Sequence, residues 1–278
     1  MNPTLSSGVA LALLASNVSS AEPVSEHQTW QQTYAVSAAA PRLHVRNIWG
    51  NVIVRPGTGR TIVVSADERR SAATREAFER SKEQLRLDIV ANAEGVSLMV
   101  YDPDRKTGRT DVCQGCQLEY QFEIAVPPGT TVDVGTITDG RVEVSGIRGP
   151  VNANNVNGPV AVSGVYECSH IETVNGALDV TFARAPGSNC DIKTINGEIT
   201  VGLPATAGLN AILNVGHGDI ESDFDVEPMT LPAKIDKQQR DDRFMYRIQQ
   251  PAALRVGSGG PTFTMASLNG DVRILKNK

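Results

Sequence analysis

From residue 118 the chain alternates strictly. Leu118, Tyr120, Phe122, Ile124 and Val126 are apolar, and Glu119, Gln121, Glu123 and Ala125 separate them. A period of two predicts a strand with one buried face, and Pro127-Pro128-Gly129 ends it. Shorter alternations follow, each introduced by the same phrase: an apolar residue, usually Asn, then Gly, then apolar residues two and four positions after the Gly. The copies are Ile137-Thr138-Asp139-Gly140-Arg141-Val142-Glu143-Val144, Val156-Asn157-Gly158-Pro159-Val160-Ala161-Val162, Val174-Asn175-Gly176-Ala177-Leu178-Asp179-Val180 and Ile195-Asn196-Gly197-Glu198-Ile199-Thr200-Val201. A looser copy is Val215-Gly216-His217-Gly218-Asp219-Ile220, and the last is Leu268-Asn269-Gly270-Asp271-Val272-Arg273-Ile274. The glycines step by 18 (140 to 158, 158 to 176) and then by 21 (176 to 197, 197 to 218).

A fixed period of this length is the mark of a repeat architecture in which no copy can bury its apolar face alone. The residues two and four after each Gly share one face of a strand, and they are mostly β-branched, as a packed pleated surface favours. Stacking predicts that Val142, Val160, Leu178 and Ile199 lie over one another as nearest neighbours. Asn-Gly between apolar residues is a tight-turn signal, so Asp139-Gly140, Asn157-Gly158, Asn175-Gly176, Asn196-Gly197 and Asn269-Gly270 are expected at turns. Stacked, Asp139, Asn157, Asn175 and Asn196 would form one file with amides bonded between repeats. The expected fold is all-β: a single-stranded β-solenoid, a β-helix-like stack of rungs of about 18–21 residues, of either hand.

The rest of the chain adds to this picture. Leu43 to Ile48 alternates, and Trp49-Gly50-Asn51-Val52-Ile53-Val54 resembles the later phrase, so the repeats should begin near residue 42. Residues 22–37 read as a lead-in or a first strand. One short helix is expected near 69–85, where Ala73, Ala77, Phe78 and Leu85 share a face. Residues 102–116 read as a polar loop. Regular repeats should occupy 130–222 and 255–276, with an insertion at 223–252. Gly8 to Ala15 is a short apolar run, and Ser19-Ser20-Ala21 has the small residues of a cleavage site, so 1–21 is expected to be a signal peptide ahead of one domain spanning 22–278. No later run approaches the length of a membrane helix, and the product should be periplasmic or extracellular.

Charge and chemistry narrow the function. Lys plus Arg number 26 against 31 Asp plus Glu, a formal charge of −5 without a basic cluster, which argues against a nucleic-acid partner. The four cysteines, Cys113, Cys116, Cys168 and Cys190, favour disulfides in an oxidising compartment. Of three connectivities, Cys113–Cys116 with Cys168–Cys190 is expected, since Cys168 and Cys190 hold nearly equivalent places in successive repeats. Cys113-Gln114-Gly115-Cys116 lacks the further ligands of a zinc site and the helix start of a redox pair. The histidines, His27, His44, His170 and His217, show no metal spacing. Nucleophile-elbow, phosphate-loop and zinc-protease motifs are absent. No catalytic, cofactor or metal residue is assigned. Outward Glu198, Asp219 and Glu221 are the carboxylates that neighbouring repeats could bring together. Insertions in repeat proteins often carry recognition, so Lys237, Arg240, Arg243, Phe244 and Tyr246 form a candidate recognition loop.

The phrases, together with Val126-Pro127-Pro128-Gly129-Thr130-Thr131-Val132-Asp133-Val134 and the ending Gly259-Gly260-Pro261 … Leu268 to Ile274, resemble the bacterial putative adhesin family of β-strand-repeat proteins of unknown function. The resemblance covers about residues 40–278 and is strongest over 126–222 and 255–276. It implies a β-solenoid at the envelope or outside the cell and brings no catalytic residues with it. The expected function is a non-catalytic structural or adhesin-like protein that binds a cell-surface glycan or an envelope protein. The alternative is a β-helix polysaccharide lyase or hydrolase, which would need outward carboxylates gathered in a groove.

Overall fold

A computed structural model describes residues 23–102, 115–231, 234–240, 243–249 and 251–277, with 234–240 and 243–249 followed as backbone only. The expected signal segment and Cys113 lie outside the described residues. The N-terminal part holds β1 (Val24–Ala35), β2 (Arg42–Arg46), β3 (Val52–Pro56), β4 (Thr61–Ala72), α1 (Arg75–Gln84), β5 (Arg86–Asn92), β6 (Gly95–Tyr101) and β7 (Gln117–Val126). The repeats supply β8 (Thr131–Gly135), β9 (Val142–Ser145), β10 (Val151–Asn154), β11 (Val160–Val165), β12 (His170–Glu172), β13 (Leu178–Phe182), β14 (Cys190–Asn196), β15 (Ile199–Leu203), β16 (Leu209–His217) and β17 (Ile220–Ser222). The excursion contains β18 (Val226–Pro228), β19 (Lys234–Arg240), β20 (Arg243–Gln249) and β21 (Ala252–Val256), and the last repeat β22 (Thr262–Asn269) and β23 (Val272–Lys276).

The fold is all-β, with one helix among the described residues. Two large sheets are open and mixed. One runs β1-β4-β7-β3-β9-β11-β13-β15-β23-β17, the other β18-β21-β16-β22-β14-β12-β10-β8-β2-β6-β5, and β19-β20 pair separately. Each repeat gives the strand before its Gly to the eleven-stranded sheet and the strand after it to the ten-stranded sheet. The central pairings are parallel. Val160 lies opposite both Val142 and Leu178, and Leu178 opposite Ile199. The file extends through Val52 to Phe122 on one side and through Val272 to Ile220 on the other. The facing sheet carries its own file, Leu98-Val45-Val134-Ala153-Ile171-Ile192-Met265-Leu213. Buried residues of both sheets form one apolar cluster.

The order of the repeats is not the order of the sequence. β23 sits between β15 and β17, and β22 between β14 and β16. The last copy of the phrase therefore enters the stack ahead of the looser copy at Gly218. Both ends of the stack depart from parallel pairing. β1, β4 and β7 pair antiparallel, as do β5 with β6 and β21 with β16 and β18. This also corrects the expected helix: residues 69–72 belong to β4, paired on one side with β1 and on the other with β7. Two neighbours override the helix propensity of that charged stretch. The helix starts at Arg75, where the Thr74 side chain accepts from the Ala77 N–H. Arg70 donates to the Ser81 and Leu85 carbonyls at its far end.

The apolar residue two before each Gly is outside the core. Val156 and Val174 are half-buried, Ile195 is 45% and Leu268 53% exposed. The residue before it is the buried one, and it is polar: Thr136, Asn155, Thr173, Thr194 and Ser267. Each donates to the glycine carbonyl of the adjacent repeat. Thr173 reaches Gly158 at 2.9 Å, Thr194 reaches Gly176 at 3.1 Å, Ser267 reaches Gly197 at 2.9 Å, and Asn155 reaches Gly140 at 2.9 Å. These carbonyls turn inward at the corner, where a buried acceptor without a donor is costly. The same closeness explains the glycines. A Cβ on Gly197 would lie 1.9 Å from the Gly176 oxygen, so steric approach excludes a side chain there.

Cys168 and Cys190 are joined by a disulfide with Cα atoms 5.5 Å apart. It ties the approach to β12 to the start of β14, its parallel neighbour. Cys116 packs beside the helix, next to Ala72 and Phe78.

Candidate functional site

Three surface features merit a functional reading. The first is on the outer face of the ten-stranded sheet. Pairing Ile199 with Val272 and Val272 with Ile220 puts Glu198, Asp271 and Asp219 in one file and Thr200, Arg273 and Glu221 in the next. Of the expected carboxylates, Glu198 and Glu221 gather around Arg273, which bonds Glu221 at 2.8 Å and also Glu198; the third on it is Asp271, at 3.3 Å, and not Asp219, whose backbone N–H donates to the Asp271 carboxylate. Asp179 sits one repeat away, and partial burial, then the charge of Glu198, raises its carboxyl above the ordinary range. A guanidinium shared by three carboxylates ties them together on an open sheet face and offsets part of their charge. Among the described residues no group of three or more His, Cys, Asp or Glu is arranged to hold a metal. His27, His44 and His170 each lie against a carboxylate, Asp67, Asp133 and Glu172.

The second feature is the turn file. Asn175 donates to Asn157 at 2.8 Å, Asn196 to Asn175 at 2.7 Å and Asn269 to Asn196 at 2.7 Å. Asp139 is not part of this file, contrary to expectation. It has φ 50°, and the Asn157 N–H donates to Ile137, three residues before Gly140, whereas Asn175 and Asn196 bond Val156 and Val174, two before their glycines. Asp139 is thus an extra residue at the first turn. At the other end His217 stands opposite Asn269. Val156, Val174, Ile195 and Leu268 run beside the amides as an apolar ridge.

The third feature is the end of the stack. The rung 214–222 is exposed along nearly its whole length, and Ile220, which continues the buried file, is 40% exposed. β21 covers the edge of β16 only as far as Leu213 opposite Ala252, and β17 is the last strand of its sheet. A groove of about 690 Å³ opens here, lined by Leu213, Val215, Ile220, Pro251, Ala252 and Leu268 among others. Pro251 and Ala252 are the base of the β19–β20 hairpin. That hairpin contains the candidate recognition residues. Its register sets Lys237 opposite Tyr246, Gln239 opposite Phe244 and Arg240 opposite Arg243; the side chains of Lys237, Arg240, Arg243, Phe244 and Tyr246 lie outside the described part of the structure.

Trp30 and Trp49 form no aromatic platform with one another. Trp30 is on β1 and Trp49 is bridged to Glu119 and Thr138, and both pack partly against the core. Sequence reasoning missed the role of Arg273 and the exposed rung. The first had a signal, an Arg three residues after the last repeat Gly, but its neighbours depend on the non-sequential order of the strands.

No protein-family model matches this chain, and neither does any curated protein. Among solved structures, a "putative cell adhesion protein" from Clostridium sporogenes is similar at 10% identity and a TM-score of 0.46, over 90% of this chain and 100% of that one. So slight a likeness carries no functional argument. Among the described residues no helix is long and apolar enough to cross a membrane.

Proposed function

We propose that this chain is a secreted or envelope β-solenoid that acts without catalysis, as a stiff adhesin-like scaffold presenting its end to a glycan or protein partner. The observation that carries this reading is the conjunction at one end of the stack: an exposed rung, a groove of mixed polar and apolar lining and a hairpin inserted at the groove's rim. A regular stack needs none of these for its own stability. The parallel in-register pairings from β3 to β17 support the solenoid reading, with two strands and one Gly corner per turn. The Cys168–Cys190 disulfide supports an oxidising address. The test is binding of the protein to a glycan array and to envelope extracts, with and without residues 234–249. Binding that is lost on deletion, with the unfolding midpoint unchanged, is expected. Binding indifferent to the deletion contradicts the site.

One observation favours the enzymatic alternative, the carboxylates around Arg273 with Asp179 nearby. Polysaccharide cleavage that disappears in Glu198→Gln would establish it. The shared guanidinium and the open face argue for a structural role instead.

A further inference from the structure

We propose that the exposed rung Asn214–Ser222 is a strand-addition site, which takes an extended segment of another protein as the next rung of the stack. This rests on the recognition reading above and names its partner chemistry. Every preceding repeat lies between two neighbours; among the described residues this one has a neighbour on one side only. There β17 pairs with β23 alone, and β16 beyond Leu213 pairs with β22 alone. The Asp223 N–H donates to Ile274 in β23. Because N–H directions alternate along a strand, the Ser222 N–H points to the open side. A row of free donors and acceptors beside an exposed apolar file is what an added strand pairs with.

The occupied side of β17 shows what the open side accepts. There Val272 lies opposite Ile220, and Arg273 lies opposite Glu221 and bonds it. Asp219 and Glu221 flank Ile220 on the outer face. The partner is therefore a strand with a β-branched apolar residue followed by Lys or Arg. The groove beside Ile220 would receive a further apolar side chain. A second copy of this chain is a poor occupant, because two such rungs edge to edge would oppose Asp219 and Glu221 to carboxylates.

The probe is a synthetic peptide with the sequence of residues 266–276, which already pairs with this rung inside the fold. Titration calorimetry with the full chain is expected to give saturable one-to-one binding. Affinity should fall about tenfold or more, equivalent to ~1.4 kcal/mol, for Ser222→Pro, which removes an open-side donor. It should fall similarly for a peptide with Glu at the Arg273 position. If Ser222→Pro lowers the unfolding midpoint, Ile220→Lys serves instead. No saturable binding, or equal affinity in the edge variants, overturns the proposal. So does self-association in sedimentation that an edge variant abolishes while the peptide stays unbound. Deleting 234–249 separates the two readings. Peptide binding should survive the deletion; if the undeleted chain binds the peptide but no glycan or envelope component, or if envelope binding is indifferent to the deletion, the recognition reading fails and strand addition stands.

Discussion

Thr173→Val removes one oxygen from the corner between two repeats and keeps the side chain's shape. Thr173 is 1% exposed, and its hydroxyl donates to the Gly158 carbonyl at 2.9 Å. Gly176 packs so close to that carbonyl that a Cβ there would be 2.2 Å from the oxygen, which limits water as a substitute donor. Stranding a buried acceptor costs about 1–3 kcal/mol. The bond is part-buried and valine adds some apolar burial, so about 1–2 kcal/mol is expected. With a urea m-value near 3 kcal/mol/M, the midpoint should fall by about 0.3–0.7 M at unchanged m. Thr173→Ser keeps the donor and should lose only its methyl, about 0.8 kcal/mol. Thr200→Val, on the outer face, should stay within about 0.5 kcal/mol of the parent. Thr173→Val indistinguishable from Thr200→Val, or Thr173→Ser as damaging as Thr173→Val, would refute the role given to the hydroxyl.

Gly197→Ala places a methyl 1.9 Å from the Gly176 oxygen; the backbones must separate, and a loss of about 2 kcal/mol or more by denaturant unfolding is expected. Asp179→Asn should stabilise the protein at neutral pH. A carboxyl whose folded pKa is raised by burial and by Glu198 stabilises fully only below its unfolded value near 3.9, and that stability is lost as pH rises through the folded value; the mutant's advantage in thermal unfolding should therefore shrink as pH falls toward 4. Replacing Cys168 and Cys190, 22 residues apart, with alanines should cost about 3 kcal/mol, and an unchanged unfolding midpoint would show that the crosslink adds nothing.

How much of this was legible in the chain depends on what the pattern encodes. The residues two and four after each glycine specify a face and a repeat, and Val142, Val160, Leu178 and Ile199 do lie in one paired file. The pattern does not encode order. Leu268 to Ile274 matches any neighbour equally well, so its place between β15 and β17 could not be read from the sequence. The polar residue three before the glycine is visible at Asn155, Thr173, Thr194 and Ser267, but nothing in the phrase says which way it faces. It took the inward-facing glycine carbonyls to give those side chains a purpose. Ile195 and Leu268 are apolar and periodic, yet they lie outside the core. The corner reverses the facing between the two strands of a repeat and turns them out. Asp139 aligned with the asparagines by its glycine, and only the backbone pairing shows the extra residue. At the candidate site, the insertion at 223–252 was legible as a break in the period. The exposed rung beside it was not, because an apolar residue two after the glycine reads the same in a last rung, as at Ile220, as in a covered one.

The central claim is that the repeats form one parallel stack into which the last repeat is inserted out of order. Cysteine pairing tests it. In β14 and β22, Lys193 lies opposite Ala266, and Ala266 lies opposite Asn214 in β16. Lys193→Cys with Ala266→Cys should oxidise to a disulfide found by peptide mapping, since adjacent strands are about 4.8 Å apart. Lys193→Cys with Asn214→Cys should stay reduced, because two strand spacings, about 9.6 Å, exceed what a disulfide spans. The opposite outcome, crosslinking of 193 to 214 but not to 266, would mean a stack in simple sequence order and would contradict the account.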